Sequence, residues 1–190
     1  KKTLLDTIAS LGKGDPLAAE YQRKLYSLLY WWNWPGFSSM ADLRLSLCMI
    51  VKNESYFLPK CLEQSAEYVD EIIIVDTGSN DDTKSIAALY TNKIYDFEWQ
   101  DDFSAARNLS IDKATGDWII VLDADEVIEP RHWAEIRTLI QSTDQEAFFL
   151  TERNYSFESF GSGWQPIQEK SAYTRNFSGY KVHNIARLFC

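Results

Sequence analysis

No run in this sequence is apolar for long enough to cross a bilayer. The greasiest, Leu25 to Trp34, has about ten residues, half of what a span requires. The opening Lys1-Lys2-Thr3-Leu4-Leu5 is basic and then apolar, yet Asp6 interrupts any signal-peptide core and no small-residue cleavage site follows. Cysteine is scarce: Cys48, Cys61 and Cys190 are odd in number and lack metal-ligand spacing, and 190 residues bury a core without staples. A reducing, cytoplasmic setting is the expectation. With 8 Gly and 5 Pro the chain has too few of either for a disordered or fibrous class. Basic residues are outnumbered, 19 against 28 acidic, for a formal charge of -9. That excludes bulk binding of nucleic acid or an anionic membrane, so any phosphate ligand must be held by local groups or a metal.

What is present is a globular composition, 45% hydrophobic and 14% aromatic, at a length that fits one domain with an appendage. The texture changes near residue 42. Before it, Asp15 caps a helix, Pro16 sits in its first turn, and Tyr21, Leu25, Leu28 and Trp32 follow at helical spacing until Pro35-Gly36. Residues 1–41 are therefore expected to form a helical segment, whose aromatics Tyr26, Tyr30, Trp31, Trp32 and Trp34 make a packing seam. The absence of an initiating methionine, and an end at Leu188-Phe189-Cys190 inside an expected strand, suggest a fragment of a longer protein.

Residues 42–190 alternate short apolar runs with amphipathic stretches. The pattern predicts strands at 45–51, 72–75, 94–95, 118–122 and 147–150. Between them it predicts helices carrying Leu58, Leu62, Ala66 and Val69; Ile86 and Leu89, opened by Asp81 or Asp82; residues 104–114; and Trp133, Ile136 and Ile140 after Glu129-Pro130. Strands alternating with helices imply an α/β domain with a mainly parallel sheet covered on both faces.

Ligands of such sheets bind beyond the carboxyl ends of the strands, where the strand order reverses. The residues there are Lys52-Asn53-Glu54, Asp76-Thr77-Gly78-Ser79-Asn80-Asp81-Asp82 and Asp123-Ala124-Asp125-Glu126, all acidic. Carboxylates gathered on one edge repel one another and call for a cation. Mg²⁺ or Mn²⁺ takes one or two protein carboxylates and completes its shell with water and phosphate oxygens. Asp123 and Asp125, two apart after five apolar residues, fit a metal shared with a diphosphate. The bland reading of acids after strands is turn former or helix cap, and it weighs most for Asp81 and Asp82. Arg107-Asn108, near a helix start, suit either a phosphate or a salt bridge to the neighbouring acids.

In combination these pieces resemble a bacterial family-2 glycosyltransferase of the Rossmann-like, nucleotide-sugar-binding GT-A fold. The matching segments are Leu47-Cys48-Met49-Ile50-Val51-Lys52-Asn53-Glu54, Val75-Asp76-Thr77-Gly78-Ser79 with Asp81-Asp82-Thr83, Phe103-Ser104-Ala105-Ala106-Arg107-Asn108, and Leu122-Asp123-Ala124-Asp125-Glu126. The chain particularly resembles the branch often joined to tetratricopeptide-type helical repeats, which includes peptide glycosyltransferases of the sublancin type. The resemblance implies a nucleotide-sugar donor, UDP-linked first of all, and Mn²⁺ or Mg²⁺. It places Asn53, Glu54, Asp82, Arg107 and Asn108 around the nucleotide, Asp76 on the uracil imide, Asp123 on the ribose or metal, and Asp125 on the metal that neutralises the departing diphosphate. It implies inversion, with a carboxylate base in an acceptor half that this sequence carries incompletely. Glu152, Glu158 and Glu169 are the downstream carboxylates, and spacing does not choose among them. The acceptor, whether glycan, lipid or peptide, is left open.

Three other readings compete. Asp123-Ala124-Asp125-Glu126-Val127-Ile128 fits the opening of haloacid-dehalogenase-type phosphatases, but Asp144 is the one aspartate downstream of it. A nucleotidyltransferase would carry a Gly-rich basic loop where Lys52-Asn53-Glu54 stands. A non-catalytic module would bind the nucleotide-sugar or a partner without transfer. His183 is expected to be a surface or packing residue, and Trp164 either anchors its loop or stacks on a sugar.

Overall fold

The structure is a computed structural model that describes residues 43–159, 161–168, 170–171 and 174–190. The expected helical segment over 1–41, its aromatic seam and Glu169 lie outside these residues.

The run Leu-Ser-Leu-Cys-Met-Ile-Val forms β1 (Leu45–Val51), buried on both faces as a central strand must be. Its neighbours are β2 (Glu71–Asp76) on one side and β4 (Trp118–Val121) on the other, both parallel to it, and β3 (Ile94–Asp96) extends the sheet parallel to β2. Beyond β4 the direction changes. The long β7 (Gly179–Phe189) runs antiparallel to β4, and β5 (Ala147–Ser156) and the short β6 (Gln165–Pro166) are antiparallel to β7. The order β3-β2-β1-β4-β7-β5 joins a parallel half to an antiparallel half. The strand order turns back between β1 and β4, so the ligand crevice is expected at their carboxyl ends.

Helices cover the parallel half. On one face α1 (Leu58–Ser65) and α4 (Pro130–Ser142) bring Leu58, Leu62, Trp133, Ile136 and Ile140 onto Leu47, Met49, Ile72, Ile74 and Ile120. Trp133 is fully buried and stacks on Tyr68 with ring centroids 5.6 Å apart. Fully burying side chains of this kind contributes about 1.5–3 kcal/mol each before conformational entropy is counted. On the other face α3 (Phe103–Asp112) lies over β1 and β2, above a smaller cluster of Cys48, Ile73 and Val121. No helix among the described residues is long and apolar enough to cross a membrane.

Two expected helices are shorter than their apolar spacing suggests. The first ends at Ser65, capped by Ala66, so Val69 packs on the core from the connection that follows. The second, α2 (Thr83–Ala87), stops before Leu89, which is 80% exposed instead of facing inward. The last expected strand is longer, because β5 stays paired with β7 through Ser156.

Candidate functional site

The loops following β1 and β2 are tied to each other by side chains. Asn53 has a left-handed backbone (φ 56°), a conformation that asparagine tolerates better than most residues. Its amide donates to Ser79 Oγ at 2.9 Å and its Oδ1 accepts from the Asn80 amide at 2.7 Å. The Glu54 amide donates to Thr83 Oγ1 at 2.7 Å, and that of Ser55 to Asp81 Oδ2 at 3.1 Å. Asp81 also accepts from the Thr83 amide and hydroxyl, which opens α2. Asp82, at the cap position itself, makes no side-chain capping bond.

Asp76 ends β2 with no exposed surface. Its Oδ1 accepts from the amides of Gly78 (2.9 Å) and Ser79 (2.8 Å), a turn that needs Gly78 at φ 101°. Its Oδ2 is buried and has no hydrogen-bond partner among the described residues. A buried carboxylate oxygen without a donor is costly, and a ligand donor would satisfy it.

At the end of β4, Asp123-Ala124-Asp125-Glu126 folds back on itself. The Glu126 amide donates to the Asp123 carbonyl at 3.0 Å, and the Asp123 amide donates to Glu126 Oε2 at 2.8 Å. Asp123 lies between two guanidinium groups: Arg107 Nη2 is 3.4 Å from Oδ1, and Arg187 Nη2 is 3.0 Å from Oδ2. Arg187 also binds Glu126 Oε1 and sits 3.6 Å from Glu152 Oε2. Asp125 is exposed and makes no side-chain hydrogen bond or ion pair among the described residues.

Between these loops is a cleft of about 390 Å³, lined among others by Lys52, Glu54, Thr77, Arg107, Asp123 and Asp125. Trp99 and Phe103, edge to face at 4.7 Å, form one wall. A second hollow of similar size lies at the opposite edge, around Arg44, Asp70 and Lys93, away from these carboxylates. Burial and the nearby charges of Asp125, Asp81 and Asp123 raise the Glu54 carboxyl above its usual range. Burial likewise raises Glu126; the Asp123 amide and Arg187 oppose the rise, and Asp123 and Glu152 reinforce it. For Arg187, burial favours loss of the proton, but Glu126, Asp123 and Glu152 outweigh it and hold the guanidinium above its usual range.

Of the sequence candidates, the cleft brings together Glu54, Arg107, Asp123 and Asp125. Asp76 lies one residue before the cleft-lining Thr77, and Asn53 spends its side chain on the adjoining loop. Asp82 and Asn108 are exposed and do not line the cleft. His183 is exposed on β7. Trp164 is a loop anchor: its Nε1 donates to Ser156 Oγ at 2.9 Å, and its ring lies so near Gly179 that a Cβ there would fall 2.1 Å from it. Sequence reasoning gave no site role to Arg187, or to Glu126 within the strand-end acids it noted. The one available signal was an arginine within an otherwise apolar strand end, Arg187-Leu188-Phe189.

An open carboxylate beside paired ones, at the strand-order reversal of a parallel sheet, lies where α/β proteins of this kind bind their ligands. The family model described as glycosyl transferase family 2 matches residues 46–188, and the chain belongs to that family. A tetratricopeptide-repeat model matches residues 1–30. A TPR repeat-containing protein of Synechococcus elongatus is 42% identical over 140 residues, covering 74% of this chain and 34% of its own length. The glycosyltransferase SunS of Bacillus subtilis prophage SPbeta is 38% identical over 103 residues, 53% of this chain and 24% of its own. The chain thus spans about a third or less of these relatives. Among solved structures, S. aureus TarS 1-349 in complex with UDP superimposes with a TM-score of 0.53 at 16% identity, over 73% of this chain and 46% of that one, which shows the shared GT-A fold. Family membership removes the phosphatase and nucleotidyltransferase readings.

Proposed function

We propose that this chain carries the donor half of a metal-dependent, inverting glycosyltransferase that moves a sugar from UDP to an acceptor hydroxyl or thiol. The observation that carries the reading is the contrast within one turn: Asp123 is neutralised by Arg107 and Arg187, whereas Asp125 stands open beside Glu54 in the cleft. Among the described residues no three His, Cys, Asp or Glu side chains form a complete cage. A cation that shares its shell with a diphosphate needs only one or two carboxylates, and Asp125 supplies a hard oxygen donor of that kind. Bound there, Mn²⁺ or Mg²⁺ would offset the charge developing on the departing diphosphate.

The chain's own groups do the rest. Asp76, with its unpartnered oxygen, accepts the imide N–H of uracil, and a neighbour of the same fold is seen with UDP. Arg107 places a second positive charge at the cleft, and Glu54 and Asn53 shape its floor and rim. Trp99 and Phe103 give the cleft an aromatic wall on one side. The tetratricopeptide match over residues 1–30 fits a helical-repeat region, and in this reading the protein works in the cytoplasm.

Calorimetric titration of UDP into the full chain, with and without Mn²⁺ and beside GDP and dTDP, tests the proposal. Binding of UDP in preference to the others, strengthened by Mn²⁺, is expected. Equal or absent binding of all three nucleotides overturns the donor assignment. Tight binding with no sugar released from UDP-sugars in any acceptor mixture would favour the non-catalytic module.

A further inference from the structure

Arg187 lies 64 residues further along the chain than Asp123, yet it is 8% exposed and meets three carboxylates, of which Asp123 lines the cleft. Its Nη2 donates to Asp123 Oδ2 at 3.0 Å and to Glu126 Oε1, and Glu152 Oε2 lies behind at 3.6 Å. Glu126 in turn accepts the Asp123 amide at 2.8 Å. The turn is therefore held at two points, by its own backbone and by a cation delivered from β7. Arg107 occupies the remaining oxygen of Asp123. Asp125, the residue between these fixed points and solvent, is left as the open carboxylate.

We propose that Arg187 is a positioning residue for the metal-and-diphosphate site. By clamping Asp123 and Glu126 it keeps both away from the cation and fixes the direction in which Asp125 is presented. Groups that orient ligands in this way change metal affinity by about 10- to 100-fold when removed. Glu152 acts as the counter-charge that seats the guanidinium: its Oε2 is buried, makes no hydrogen bond among the described residues, and faces the Arg187 charge at 3.6 Å. The clamp also makes the antiparallel half of the sheet, through β5 and β7, part of the donor site's support.

The inference rests on the metal-dependent donor reading, and the test separates the two. UDP is titrated into wild type, Arg187→Lys and Arg187→Met, with and without Mn²⁺, and the ratio of the two affinities is compared at matched folded fraction by circular dichroism. Arg187→Met is expected to lose about 10-fold or more of the Mn²⁺ enhancement while its metal-free UDP affinity stays within about 3-fold. Arg187→Lys, which keeps the charge on a shorter stem without the planar fork, is expected to fall between. An unchanged ratio in the variants overturns the inference, as does a metal-free affinity that falls in parallel, which would make Arg187 a nucleotide contact. If Arg187→Met does not fold, Arg187→Lys decides: a reduced ratio supports the clamp and a wild-type ratio sinks it. A wild-type protein indifferent to Mn²⁺ overturns the donor reading and the inference with it.

Discussion

Ser46 Oγ on β1 donates to Glu71 Oε2 on β2 at 2.6 Å, at the amino edge of the sheet, opposite the cleft. Glu71 also accepts from Lys93 Nζ and from the Thr115 amide and hydroxyl, so one carboxylate fastens two strands and the entries to two more. Burial would raise its pKa, but the bonds from Lys93, Ser46 and Thr115 bring it down to about 2 from an ordinary 4.5. Because the folded-state value is the lower one, the ionised form favours the fold. That stability is complete above about pH 4.5 and is lost as pH falls toward 2.

Glu71→Gln is therefore expected to lower unfolding free energy at pH 7 by about 3 kcal/mol. In urea titrations from pH 7 to 2.5 the gap between wild type and variant should close as acid is added. A gap that stays constant with pH contradicts the role given to the ionised carboxylate.

Gly116 sits against the same network, donating its amide to Ser46 Oγ at 2.9 Å. A Cβ there would lie 2.5 Å from Ser46 Oγ and 2.8 Å from the Arg44 carbonyl. Gly116→Ala should cost about 1–3 kcal/mol by overpacking, measured by denaturant unfolding, with UDP affinity unchanged. A variant as stable as wild type would show that the loop relaxes freely.

Asp76→Asn keeps an oxygen for the Gly78 and Ser79 amides and places an NH₂ where the unpartnered oxygen stood. UDP affinity should fall about 10- to 100-fold, the worth of a charge-assisted hydrogen bond. CDP, whose ring nitrogen accepts where that of uracil donates, should lose less or gain. Equal losses for UDP and CDP in calorimetry would remove Asp76 from base recognition.

The parallel half of the sheet was legible because its strands are short apolar runs closed by polar, acidic turns; Leu45–Val51 is bounded to the residue. Helix ends were less so. Leu89 continues the spacing of Ile86, but α2 is opened by Asp81 and Thr83 and spans only five residues, too short to turn Leu89 inward. In the site, local motifs pointed to Glu54, Arg107, Asp123 and Asp125, which the cleft unites. Arg187 was not legible as a site residue because its partners in the turn after β4 are 61 and 64 residues away, and the β4–β7 pairing brings them into reach. Asp81 and Asp82 are indistinguishable as neighbours in sequence; the fold gives the capping bonds to Asp81 and leaves Asp82 at the surface.

Electron paramagnetic resonance of Mn²⁺ with UDP, comparing wild type with Asp125→Ala, tests the central claim most directly. Asp125 is exposed and has no ion-pair partner among the described residues, so its removal should leave stability within about 0.5 kcal/mol. The account predicts that wild type with UDP depletes the free-ion signal and that Asp125→Ala leaves it at the level of Mn²⁺ and UDP alone. Equal depletion by the two proteins would contradict the assignment of the metal to this turn.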